Sequence, residues 1–170
     1  AQQKIKATAN YFHNLVINGT SASSGTGYVV NTFDGLRKAL TGTSNDFTTD
    51  IDLSDSTKLD SNANAFVDQL DQLTHMVDGG ASLLLMNTAM LLKVRAAARR
   101  AGYYDRKKDD FGRAVEYFGD IPIMDAGMYY NGTKSVDVID TSTPSATAAG
   151  TSSIYAVNIA LDGFHGISPT

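Results

Sequence analysis

The sequence predicts an α+β fold in which a central β-sheet is flanked by helices, and three observations lead to this prediction. The apolar run Ser82–Met86 does not alternate with polar residues, which is typical of a short strand buried on both faces. A helical pattern of apolar residues follows this run and ends at Gly102. Beyond that helix, Gly119-Asp120 separates two runs of residues that favour strands, which predicts a hairpin.

Composition narrows the range of structures and functions. With 170 residues, one domain is expected, and about 70% of the surface of the unfolded chain can be buried. The absence of cysteine excludes disulfides, thiolate zinc sites and cysteine nucleophiles, and it fits a reducing compartment. A net charge of -4 disfavours a dedicated nucleic-acid-binding domain. Glu116 is the only glutamate, and the abundance of Asp, Gly, Ser and Thr predicts few, short helices.

The first part of the chain is predicted to form a helix and a loop. Residues 1–17 carry apolar side chains at helical spacing, and Asn18-Gly19 ends this helix. A surface loop is expected over 20–27, a short strand over 28–30, and one or two helical turns over 33–40. The chain shows no signal peptide and no apolar run near the ~20 residues that a bilayer span needs. Because the helical pattern is already present at the first residue, we expect further residues upstream.

Two domains are predicted, a segment of helix and loop over 1–40 and an α+β core over 41–170. The two longer helices of the core are expected to flank its sheet, and residues 126–150 are rich in turn-forming residues. The predicted elements of the core are an edge strand over 47–53, a helix over 62–77 capped by Ser61 or Asn62, the buried strand 82–86, a helix over 88–101 capped by Asn87, a hairpin of 111–118 and 121–124, and a strand over 152–160 that turns at Asp162-Gly163 into 164–167.

No catalytic, cofactor-binding or metal-binding residue is predicted. The segment 50–55 resembles the start of a calcium-binding loop. However, Asp55 stands where this loop needs glycine, and Ser61 stands where it needs a bidentate glutamate. No serine lies in a Gly-x-Ser-x-Gly turn. The three histidines, His13, His75 and His165, lack partners at metal-ligand spacing. His75 follows Asp71 by four residues, which is typical of a surface pair on a helix.

A basic cluster is the one notable charge feature. Eight of the fourteen basic residues lie between Lys93 and Arg113, whereas acidic residues concentrate between Asp46 and Asp78. Two interpretations stay open. The cluster is either a solvated helix face with a loop, or a subunit contact in which a basic edge meets an acidic edge of a neighbouring copy. Direct binding to nucleic acid is disfavoured because aromatic residues are not interleaved. The candidate contact residues are Arg95, Arg99, Arg100, Arg106, Lys107 and Lys108.

Four short motifs spread over most of the chain carry a resemblance. In order, they are Leu15–Thr20 followed by Phe33–Leu36, Leu84–Asn87 before a helix, the hairpin Phe111–Val115 with Tyr117–Ile123, and Gly150–Val157 with 162–166. They are similar to the polar loop before Gly-Leu, the apolar strand with Met-Asn, the Gly-Arg-Pro-Val hairpin and the Ser-Ile-Tyr-Ala-Val strand pair of one family. That family is the major capsid proteins of tailed bacteriophages, with the Hong Kong phage type of capsid fold.

Two departures from the family pattern are present. Ala114 stands where the family usually has proline. The N-terminal arm, the extended loop and the long spine helix of the much longer family members have no counterpart in these residues. The resemblance therefore implies a truncated fragment, in which 1–40 is similar to part of the peripheral domain and 41–170 to the axial domain.

The resemblance implies a structural protein and not an enzyme. Its copies would associate into pentamers or hexamers and form the icosahedral shell of a phage or prophage virion, assembled in the cytoplasm of the bacterial host. Scaffold, portal and decoration proteins would be further partners, and packaged DNA an indirect one. No cofactor, membrane or specific small-molecule ligand is implied. The alternatives are the shell protein of an encapsulin-type compartment, a phage accessory protein that binds a partner, and a small α+β enzyme.

Overall fold

The chain has the α+β architecture that the sequence predicts. The computed structural model describes residues 2–21, 33–49, 51–102, 105–108, 114–142, 150–161 and 163–165. Two compact units are present, the first formed by Ala1–Thr48 with Gly127–Asp140 and the second by Thr49–Ala126 with Thr141–Thr170. Residues 127–140 therefore lie with the N-terminal segment, whereas the sequence division at residue 40 groups them with the core.

The described residues form four helices and nine short strands, joined by loops and turns. In chain order they are α1 (Gln2–Asn18), α2 (Leu36–Leu40), α3 (Ser56–His75), β1 (Leu83–Met86), α4 (Thr88–Ala101), β2 (Asp105–Lys108), β3 (Ala114–Phe118), β4 (Ile121–Asp125), β5 (Met128–Tyr130), β6 (Ser135–Asp137), β7 (Thr141–Ser142), β8 (Thr151–Ser152) and β9 (Tyr155–Val157).

In the first unit, the end of α1 packs against α2 and against the antiparallel pair of β5 and β6. Two glycines allow the backbones to come close, because Gly35 N donates to Gly19 O at 2.8 Å and a Cβ on either residue would collide with main-chain atoms. The Asn18 side chain donates to Val138 O at 2.6 Å. The helix predicted over 1–17 is confirmed in the described residues, and a small hairpin occupies part of the stretch predicted as turns.

The second unit contains a five-stranded mixed sheet with the order β2-β3-β4-β1-β9. β1 runs parallel to β4 and antiparallel to β9, so the predicted buried strand lies beside the predicted hairpin. The turn at Gly119-Asp120 joins β3 to β4 as predicted, while residues 111–113 lie outside the described residues. The predicted buried strand and the predicted hairpin thus belong to one sheet.

The core of this unit lies on one face of the sheet. Leu84 and Met86 have no exposed surface, and the register places Ile123 on the same face as Leu84. Leu83 and Leu85 point to the opposite face and are half-buried, so the prediction of burial on both faces is wrong for that face. The core face packs against both long helices through Leu53, Leu59, Ala63, Phe66, Val67, Leu70, Leu91, Val94, Ala97 and Phe118.

Helix α3 begins at Ser56, six residues and thus nearly two turns before the start predicted at residue 62. Asp55, and neither Ser61 nor Asn62, is its N-cap, because the Asp55 carboxylate accepts a hydrogen bond from Lys58 N at 2.8 Å. The added residues also bury Leu59 and so extend the apolar stripe of the helix. The Asn62 side chain is used elsewhere, as a donor to Asp52 O at 2.9 Å.

Three strand predictions need correction. Residues 47–49 and 51–53 form no strand, because the Asp52 carboxylate accepts from Ser54 N at 2.8 Å in the turn that leads into α3. The strand predicted over 152–160 is divided, since β8 pairs with β7 whereas β9 pairs with β1. Phe164 and His165 form no strand. The strand predicted over 28–30 lies outside the described residues.

Candidate subunit interface

Helix α4 presents the first half of the basic cluster. Asn87 caps it through a hydrogen bond from Met90 N to its side-chain oxygen at 2.8 Å, and Gly102 ends it with a left-handed φ of 80°. Both ends were predicted from the sequence and are confirmed. Because Val94 and Ala97 turn into the core, the arginines of the helix lie towards its borders.

Arg95 forms an ion pair inside its own unit. Its guanidinium donates to the carboxylate of Glu116 on β3, and Glu116 lies directly opposite Ile123 on the core face of the sheet. The Glu116 side chain is only 7% exposed and that of Arg95 is 35% exposed. The charge of Arg95 is therefore matched within the subunit, which favours a structural role for it over a contact with a neighbour.

Two further cations of α4 also bind within the unit. Arg100 donates to the Asp60 carboxylate and so links α4 to α3. Lys93 Nζ donates to Ser54 O at 2.9 Å, in the loop before α3. Three of the four cations of α4, namely Lys93, Arg95 and Arg100, therefore bind within their own unit.

Arg99 is the candidate that the structure leaves available. It is exposed, and it has no ion-pair partner among the described residues. The backbone of Arg106, Lys107 and Lys108 forms β2 at one edge of the sheet, whereas their side chains lie outside the described part of the chain. Charged residues on an edge strand also discourage strand addition by another chain.

The acidic segment before α3 is organised by hydrogen bonds to its own carboxylates. Lys58 Nζ donates to Asp52, and Ser54 donates to it as well, so these groups hold the pKa of the Asp52 carboxyl far below its usual range. The pKa of Lys58 is raised by the same partner. Asp55 serves as the cap of α3. Within the described ranges, no group of three or more acidic, His or Cys residues is placed to hold a metal ion.

The described histidines form no acid–base pair. His75 Nδ1 lies 2.9 Å from the carbonyl oxygen of Asp71 and so contacts the backbone, not the Asp71 carboxylate. His165 Nδ1 lies 3.1 Å from Gly163 O. His13 is exposed on α1. None of these contacts orients an imidazole towards a nucleophile.

The first unit contains an open recess of about 560 Å3. Arg37 lies on its wall, with Nη1 3.4 Å from Asp140 Oδ1, and both side chains are more than half exposed. The Asn18 amide, also on the wall, is bound to Val138 O. The recess is therefore open, and the two polar groups named on its wall are held by contacts within the first unit.

Large apolar side chains are exposed in both units. Sequence reasoning missed this signal, because an apolar pattern does not show whether the chain covers the apolar face. Exposed apolar surface of this kind is typical of protein–protein contacts when several side chains lie together. The exposed set is Ile5, Tyr11, Phe12, Phe33, Leu92, Met124, Met128, Tyr130, Ile159, Leu161 and Phe164.

No protein-family model, curated protein or solved structure matches this chain. Among the described residues, no helix has both the length and the apolar character needed to cross a membrane.

Proposed function

We propose that this chain is a structural subunit of an icosahedral shell of the tailed-phage major capsid type, which works by self-association and not by catalysis. The observation that carries the proposal is the placement of the motifs that resemble that family. Leu84–Asn87 contains most of β1, Tyr117–Ile123 spans the β3–β4 turn, and Gly150–Val157 contains β9. These strands are neighbours in one sheet.

The remaining motif supports the proposal in the first unit. Its two parts, at the end of α1 and before α2, meet through the hydrogen bond of Gly35 N to Gly19 O. Each of these glycines stands where a side chain would collide with backbone. The two glycines of the motif therefore have the same structural role, because each lets the two segments pack closely.

A shell subunit acts through its borders, and the described residues fit this requirement. The charged groups of α4 are mostly used inside the subunit, whereas apolar side chains such as Leu92 and Met124 are exposed. Contacts between identical copies would then bury apolar surface, with Arg99 adding orientation at the end of α4. The main partners of the subunit are further copies of itself. Scaffold, portal and decoration proteins would be additional partners, and the shell would enclose packaged DNA.

The proposal is tested by electron microscopy of the protein expressed from its complete gene. Rings or closed shells are expected, and a phage origin further predicts neighbouring genes for a terminase, a portal and a maturation protease. A product that stays monomeric at high concentration would refute the proposal. Shells that enclose an enzyme and no DNA would instead favour an encapsulin-type compartment.

A further inference from the structure

The segment after β9 forms a rigid apolar projection, which we call the knob and define as Ile159 and Leu161. Leu161 is 90% exposed, the highest value among the large exposed apolar side chains of the described residues, and Ile159 is 59% exposed. Around them, Phe164 N donates to Asn158 O at 2.7 Å and Gly163 N donates to Ala160 O at 3.1 Å. The knob is therefore an ordered turn and not a loose tail.

Further hydrogen bonds attach the knob to the loop before β1. Ile159 N donates to Ser82 Oγ at 2.9 Å, and Asn158 Nδ2 donates to Asp78 O at 3.3 Å. Gly163 leaves no room for a Cβ against Asn158 O. A projection held in this way loses little conformational freedom when a partner covers it, which favours binding.

The N-terminal half of α1 carries an apolar stripe, which we define as Ile5, Ala9 and Phe12. Ile5 is 68% exposed and Phe12 is 58% exposed, and the stripe lines a shallow groove with Lys4 and Thr8. The Phe12 ring is positioned by Phe33, with 5.9 Å between the ring centroids. The stripe is thus an ordered apolar surface on a helix.

The charges around the knob and the stripe are opposite in sign. Helix α1 contains no acidic residue, and Lys4 and Lys6 lie on the two sides of its stripe at helical spacing. Next to the knob, Asn158 donates to the backbone carbonyl of Asp78, whose acidic side chain is exposed. Opposite charges around two apolar surfaces set their relative orientation.

We propose that the knob of one copy binds the stripe of a second copy, with Asp78 beside the lysines of α1. This inference rests on the proposed function, because it names one contact through which the subunits associate. The two surfaces differ, so the contact is head-to-tail, and such contacts produce rings when the rotation closes.

Disulfide trapping tests the contact, because the chain contains no natural cysteine. One copy carries Leu161→Cys and a second, differently tagged copy carries Ala9→Cys. Mild oxidation of the mixture is expected to give a disulfide between the two tags. The matched control replaces Leu161→Cys by Ala65→Cys, which lies on the exposed surface of α3 and should give no mixed product. A third variant carries both cysteines in one chain. A disulfide that forms within this chain, and not between the two tagged copies, would overturn the inference.

Association measured by sedimentation provides a second readout. Leu161→Asp is expected to weaken association about 30-fold, since it places a charge in an apolar contact. Lys4→Asp with Lys6→Asp should weaken it as well, and adding Asp78→Lys should restore it. The Asp78 substitution spares the hydrogen bond of Asn158, which uses the Asp78 carbonyl group.

The outcomes separate this inference from the proposed function. Wild-type oligomers without the mixed disulfide, and with unchanged association of Leu161→Asp, would overturn the knob contact while the shell proposal stands. Absence of both oligomers and mixed disulfide would overturn both. A mixed disulfide with charge-swap rescue supports the contact, and it does so even if closed shells are not observed.

Discussion

Helices α1 and α4 have the same kind of apolar pattern and opposite environments. In α4, the stripe that includes Leu91 and Val94 is buried against the sheet and α3. In α1, Ile5 and Phe12 occupy equivalent helical spacing and are exposed. The periodicity therefore reports a helix with one apolar face, and it does not report whether the same chain covers that face. In α4 the cover is supplied within the same unit, mainly by α3.

The largest effect on stability is expected for a substitution on the buried stripe of α4. Leu91→Ala should destabilise the second unit by about 2 to 5 kcal/mol, because it leaves a cavity in the core. Ile5→Ala removes the same amount of apolar volume from an exposed position and should change the unfolding free energy by less than about 0.5 kcal/mol. Urea unfolding of both variants measures the difference. Equal losses would show that the stripe of α1 is covered within the chain.

The next effect separates the two ion pairs of α4. Glu116→Gln should destabilise the protein by about 1 to 3 kcal/mol, because the Arg95 guanidinium loses its negatively charged partner where Glu116 is nearly buried. Asp60→Asn removes the partner of Arg100 at an exposed position and should cost about 0 to 1 kcal/mol. Thermal unfolding of both variants provides the test. If Asp60→Asn proves as damaging as Glu116→Gln, burial does not decide the strength of these pairs.

A smaller effect concerns acid in the first unit. Lys38 and Ser21 donate to Asp34 and lower the pKa of its carboxyl from 3.8 to about 2. Because the folded-state pKa is depressed, the stabilisation is present above pH 3.8 and is lost as the pH falls towards about 2.

The NMR signal of the Ser21 amide, which is bound to Asp34, should follow this titration. The Asp34→Asn variant is the control and should show no such step. A midpoint close to 3.8 in the wild type would contradict the described hydrogen bonds.

The smallest expected effect on stability belongs to Arg99→Glu. Arg99 is exposed, so its charge reversal should leave the melting temperature nearly unchanged while it impairs assembly. Arg95→Glu is the contrasting variant, because it places like charges beside Glu116 and should lower the melting temperature. A large drop for Arg99→Glu would show that this residue is also structural.

Much of the second unit could be predicted because its signals are local. Asn87 and Gly102 mark the ends of α4, and Gly119-Asp120 marks the turn of the hairpin, each within a few residues of the structure it controls. The start of α3 was misplaced because Asp55, Ser61 and Asn62 are all suitable N-cap residues. Asp55 is the observed N-cap, and the earlier start allows Leu59 to be buried. The local sequence does not show which of several suitable residues caps the helix.

The candidate interface could be predicted only in part, because charge pairing is non-local. Arg95 and Glu116 are 21 positions apart, and their contact depends on the packing of α4 on β3. One signal was available: Glu116 is the only glutamate, and strand alternation places it on the same face as Phe118. A charge on a core face predicts a cation that pairs with it, and Arg95 supplies this cation.

Native mass spectrometry of the protein expressed from its complete gene tests the central claim most directly, because it counts the copies in each particle. Self-association into shell units predicts masses of pentamers or hexamers, with larger assemblies as the concentration rises. The Leu161→Asp variant should shift these species towards the monomer. A wild-type protein that remains a monomer at every concentration would contradict the account.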